Sequence, residues 1–141
     1  MKLKQLVKIN DRFEKSVNLY LDLDNPNKIR YYIPTHSSIQ LLIEFLRNTE
    51  TKQGRSNVLI GPYGKGKSHL LLVLLTILRK NKTDLLMDLI RRISAVDENY
   101  GKIIDEVFED ERPFLPVVVH EGNGSLSEIM IKSLARTLKK V

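Results

Sequence analysis

The stretch Asn57-Val58-Leu59-Ile60-Gly61-Pro62-Tyr63-Gly64-Lys65-Gly66-Lys67-Ser68 decides how this chain is read. Its last eight residues fit G-x-x-x-x-G-K-[ST], a phosphate-binding loop pattern, at every fixed position. With glycine near its usual abundance of roughly 7%, chance produces such a match in well under about one in a hundred chains of this length. The flanks agree with the pattern. Asn57 to Ile60 is a short apolar run that reads as a buried strand, and Ser68 to Lys80 is apolar on nearly every side, which reads as a helix packed on a sheet.

Each position of the loop has a chemical reason. Backbone N–H groups that turn inward make an anion nest, and Gly61, Gly64 and Gly66 supply the unusual dihedrals and the close approach it needs. Lys67 opens the following helix and is placed to reach β- and γ-phosphates as a point charge. Ser68 is the candidate Mg²⁺ ligand through its hydroxyl. The helix N-terminus adds partial positive charge, and Lys65 is a second candidate cation within the loop. Pro62 completes it. Tyr63 either lies over a nucleotide or packs on the loop, and packing is the expectation. His69 follows the serine and is expected in the core or beside the phosphates.

The chain of 141 residues carries enough apolar residues for one core of ordinary size. It has no cysteine, which removes disulfides and thiolate metal sites and fits a cytoplasmic setting. Met1 to Gln5 lacks a signal-peptide pattern, and the longest apolar run, Leu70 to Leu78, is far short of the roughly 20 residues of a membrane span. No membrane partner is expected. The net charge of +6, with lysines and arginines near both ends, reads either as solvated helix faces around a phosphate site or as a field that suits DNA.

Outward from the loop, Val17 to Leu21 alternates like a strand, Asp22 to Asn27 is a turn, and Arg30 to Ile33 is a second strand candidate, together a hairpin in an amino-terminal extension over 1–33. From Pro34 to the end, 34–141, the chain reads as the amino-terminal part of a P-loop ATPase domain. Ser37 and Gln40 have capping-box spacing ahead of a helix through Ile39, Leu42, Ile43 and Leu46. Leu85 to Ile93 makes an amphipathic helix, and Ile103 to Phe108 another after a turn near Gly101. Phe114 to Val119 is a β-branched run that reads as a parallel strand buried on both faces. Ser125 and Glu128 form a second capping box, opening a helix that runs through Leu138.

A hydrolase of this kind carries a further acidic motif, an apolar run ending in Asp, often with Glu. The nearest match is Val117-Val118-Val119-His120-Glu121, with His120 at the Asp position and Glu121 as the candidate water-polarising residue. With two parallel strands visible against the roughly five of such a sheet, the expectation is an amino-terminal piece of a larger protein whose acidic strand lies past Val141. A small complete protein with an atypical sheet is the alternative. His36, His69 and His120 lack metal-ligand spacing. Arg55, Arg79, Arg91, Arg92 and Arg136 are candidates for an arginine finger.

With these residues in hand, "YYIPTHSSIQLLIEFLRN" followed by "GRSNVLIGPYGKGKSHLLLVLL" resembles the start of AAA+ and related STAND-type ATPases of the origin-recognition/Cdc6-like group. More narrowly, "FEKSVNLYLDLDN", "GPYGKGKSHLLLVL" and "FLPVVVHEGNGSLSEIMIKSLARTL" resemble the amino-terminal regions of phage-defence ATPases. The resemblance implies that Ile33 and Pro34 line an adenine site, with Lys67 and Ser68 on phosphates and magnesium, and it implies a homo-oligomer. The resulting expectation is an α/β fold, a P-loop NTPase three-layer α/β/α sheet, incomplete at its C-terminus. It would bind ATP with Mg²⁺, and the larger protein would hydrolyse it to drive a DNA-linked cycle. A nucleotide-binding switch that does not hydrolyse, and a kinase, are the alternatives. ATP is favoured because Asn81-Lys82-Thr83-Asp84 follows the loop helix too early to select guanine.

Overall fold

The computed structural model describes residues 17–50, 56–64, 66–109, 112–120 and 122–140. Among these residues the regular structure is entirely helical: α1 (Leu19–Asp22), α2 (Asn27–Arg30), α3 (His36–Glu50), α4 (Lys67–Leu78), α5 (Asp84–Ser94), α6 (Glu98–Glu109) and α7 (Leu126–Leu138).

Local chemistry explains most of the boundaries. Asn18 accepts from the amides of Tyr20 and Leu21 at 3.0 and 3.3 Å, while its own amide donates to Asp22 at 2.8 Å. This reciprocal pair makes one helical turn where alternation predicts a strand. The predicted turn after it is present: Asn25 N–H donates to the Asp22 carbonyl, and the Asn25 side chain accepts from Asn27 N–H. Helix α2 follows it over Asn27–Arg30, and Tyr31 to Ile33 of the second predicted strand have no regular secondary structure. Thr35, two residues earlier than the Ser37 box predicts, caps α3 by accepting from Ser38 N–H at 3.3 Å. Thr83 caps α5 through Leu86 N–H, and Ser125 with Glu128 forms the predicted capping box. Gly101 is no turn; it is buried within α6. A Cβ there would stand 2.1 Å from Ser94 Oγ, so the glycine lets α6 approach α5.

The core is built from the predicted apolar faces. Ile39, Leu42 and Leu46 of α3 meet Leu72, Val73 and Ile77 of α4, with Leu86, Leu89 and Ile93 of α5 and Ile104 of α6, all essentially removed from water. Each such side chain contributes about 1.5–3 kcal/mol on burial. Helix α4 is central to this cluster, which explains why its sequence is apolar nearly all round. It ends with Lys80 in the left-handed region, φ 54°, and the Leu78 carbonyl accepts from Phe114 N–H at 3.0 Å.

The expected α/β/α sheet is therefore corrected to an all-helical architecture among the described residues. Residues 57–60 and 114–119 have no regular secondary structure. Val58 and Ile60 are 83% and 87% exposed, and Phe114, Leu115, Val117 and Val119 are also open to solvent. A β-branched run fits a pleated surface, but a strand exists only when another segment completes its ladder. No described segment does so for either run.

Candidate functional site

The glycine loop joins residues 56–60 to α4. Gly64 and Gly66 both adopt left-handed dihedrals, φ 76° and 77°, with nothing within 4 Å of an added Cβ at either. The backbone turn, not crowding, requires glycine at these two positions. Gly66 occupies the N-cap of α4 and supplies no side-chain cap. The first-turn amides, which an α-helix leaves without an intrahelical carbonyl, thus sit at the head of a 12-residue helix. Lys67 folds back over the loop, and its ammonium donates to the carbonyls of Gly61 at 2.7 Å and Pro62 at 2.6 Å. Ser68 is exposed on the same first turn. Tyr63 is 98% exposed, so the expected packing of its ring on the loop is not observed.

Beside the loop lies a cavity of about 540 Å³. One wall is the strip Tyr31-Tyr32-Ile33 with Leu41 of α3, and the other is Leu59 to Pro62 with Gly66, Lys67 and His69. The lining is mainly apolar, with hydroxyls at Thr35, Ser37 and Ser38 and a single formal charge, Lys67. The expected site residues thus separate into groups. Ile33, Gly61, Pro62, Gly66, Lys67 and His69 share one cavity. Pro34 lies outside its lining, and Tyr63, Gly64 and Ser68 lie outside it on the loop and the first turn of α4. Lys65 and Glu121 lie outside the described residues.

His69 does not point its chemistry at the loop. Its Nε2 is 2.7 Å from the Lys28 carbonyl of α2, and its ring meets Tyr32 edge-on, centroids 5.1 Å apart at 76°. Burial holds the imidazole below its ordinary titration range; the Lys28 carbonyl opposes that shift and the Lys28 charge adds to it. The neutral ring then donates from Nε2. Tyr32 is buried and donates to Ser38 Oγ at 2.8 Å. Burial raises its phenol above the usual value, partly countered by that bond. Sequence reading missed Tyr32, Thr35 and Ser38 as site residues. The adjacent tyrosines 31 and 32 are the signal that was present.

Among the described residues no carboxylate and no arginine lines the cavity. Arg79 is engaged by the Leu23 carbonyl and Asp24, and Arg92 by Asp88 and the Tyr32 carbonyl. No group of three metal-ligating side chains occurs among the described residues. A magnesium ion here would be held by the Ser68 hydroxyl together with phosphate oxygens and water, a donor set that suits this cation. No helix among the described residues is long and apolar enough to cross a membrane.

The resemblance to AAA+ and STAND-type ATPases, and to phage-defence ATPases, is overturned by the same finding that corrects the fold, the lack of any strand among the described residues. Comparison of the chain with protein-family models, curated proteins and solved structures returns no match.

Proposed function

We propose that this chain binds a nucleoside triphosphate, ATP with Mg²⁺, through the loop Gly61–Ser68. The observation that carries this reading is one juxtaposition. An uncapped helix N-terminus with two left-handed glycines and a lysine opens beside a mainly apolar cavity of about 540 Å³, within the size range of small-ligand sites. Phosphates take the first-turn amides and the Lys67 ammonium, which leaves the Gly61 and Pro62 carbonyls. Base and ribose enter between Ile33 and Ile60. The Ser68 hydroxyl would hold magnesium together with phosphate oxygens and water, and the ion would supply charge neutralisation there.

Among the described residues no carboxylate lines the cavity, and the reading is of binding. The chain then acts as a nucleotide-dependent switch or scaffold. Titration calorimetry with Mg-ATP tests the reading. Lys67→Ala is expected to weaken binding by about tenfold or more, since a charge-assisted hydrogen bond contributes about 1.5–3 kcal/mol. Unchanged affinity overturns the phosphate assignment.

A further inference from the structure

We propose that His69 is a positioning residue that fixes the base-side wall of the cavity to the phosphate loop, so that base and phosphates are recognised as one unit. The inference rests on the nucleotide reading of this site and adds to it a side chain whose hydrogen bond goes to the α2 backbone rather than to the ligand.

Helix α2 has only four residues and no side-chain cap at its N-terminus. A single turn this short is marginal alone, and its last carbonyls lack intrahelical N–H donors. The Lys28 carbonyl finds its donor 41 residues away, at His69 Nε2. The strip that follows α2 is pinned from other sides as well. Tyr32 N–H donates to Ile29, its hydroxyl bonds Ser38 of α3, and its carbonyl accepts from Arg92 of α5. His69 supplies the tie from α4, through the Lys28 bond and the ring contact with Tyr32. Two residues earlier on the same turn, Lys67 faces the loop carbonyls. One helical turn thus carries the phosphate-side cation and the anchor of the opposite wall. Shifting that wall changes the width of the cavity at Ile33 and leaves the loop geometry in place.

The test compares two ligands on the full chain: Mg-ATP, which needs both walls, and inorganic tripolyphosphate with Mg²⁺, which needs only the loop. His69→Phe keeps a ring against Tyr32 and removes the donor. His69→Gln restores a donor of similar reach. The phenylalanine variant is expected to lose about tenfold in ATP affinity, the scale of one lost buried hydrogen bond, with tripolyphosphate affinity unchanged. The glutamine variant is expected to recover ATP binding. His69→Asn, smaller and too short to reach Lys28, repeats the loss if the phenylalanine variant does not fold. Equal weakening of both ligands, or no weakening of either, overturns the positioning role. Wild-type binding of tripolyphosphate with no gain from the base overturns it too and leaves the loop assignment standing. Failure of the wild-type chain to bind either ligand overturns both.

Discussion

Two regions of this molecule share one sequence grammar and end in opposite states. In the first, an apolar run at 57–60 leads through a glycine turn into α4. In the second, an apolar run at 114–119 leads through Gly122 and Gly124 into α7. Helix α4 starts at Gly66 with no side-chain cap. Helix α7 starts at Ser125, whose hydroxyl accepts from Glu128 N–H while the Glu128 carboxylate accepts from Ser125 N–H. A carboxylate of the chain itself already fills the positive end of α7, and the φ of 138° at Gly124, which L side chains rarely adopt, requires glycine there. The end of α4 offers the same electrostatics to an outside anion. Glycine followed by a helix is therefore not sufficient for an anion site; the helix must also lack its own cap.

The helices differ equally in packing. Six residues of α4 are buried, whereas the one buried residue of α7 is Ser133. Lys140, just past α7, is tied to Asp24, which also pairs with Arg79. Arg79 and then Lys140 hold the Asp24 carboxyl below its usual range, but these are exposed pairs and contribute little.

The contrast breaks first on stability. Leu72→Ala in α4 is expected to cost about 2–5 kcal/mol as a core cavity. Leu134→Ala in α7, where the side chain is 45% exposed, is expected to stay within about 0.5 kcal/mol. Urea midpoints of the two variants check this, and similar losses would mean that α7 belongs to the core.

A smaller effect concerns the closed cap. Ser125→Ala removes about 1 kcal/mol of local helix stability. Faster amide exchange confined to α7, with α4 protection unchanged, is the expected result. Acceleration in both helices would mean that the two regions unfold as one.

The smallest effect is acid sensitivity at His69. Its folded value lies below the ordinary one through burial, so on acidification the unfolded chain takes up the proton first. The stability this neutral ring provides is complete above about pH 6.5, the unfolded value, and declines as pH falls from there through the lowered folded value. His69→Gln should flatten the part of the urea-midpoint profile between pH 7.5 and pH 5 that His69 supplies. Identical profiles would show that the ring is not held neutral.

Much of this organisation was legible locally. The spacing of Ile39, Leu42, Ile43 and Leu46 identified the buried face of α3, Ser125 and Glu128 marked a helix start, and the glycine loop stood out by its fixed positions. The rest depended on distance. Asn18 and Asp22 close a helical turn over residues whose alternation reads as strand, since one side-chain pair outweighs a weak β preference. Val58, Ile60 and Phe114 to Val119 have strand composition, but pairing is non-local and composition does not supply a partner. The cavity wall was illegible for the same reason: Lys28 and His69 meet across 41 residues, and no short-range pattern records that bond.

The central claim is that the open end of α4 takes phosphates and the closed end of α7 does not. Backbone amide NMR during titration with Mg-ATP tests it most directly. The account predicts shifts at Gly64, Gly66, Ser68 and His69, with Gly122, Gly124 and Ser125 unmoved. Shifts at the start of α7, or none at the start of α4, would contradict it.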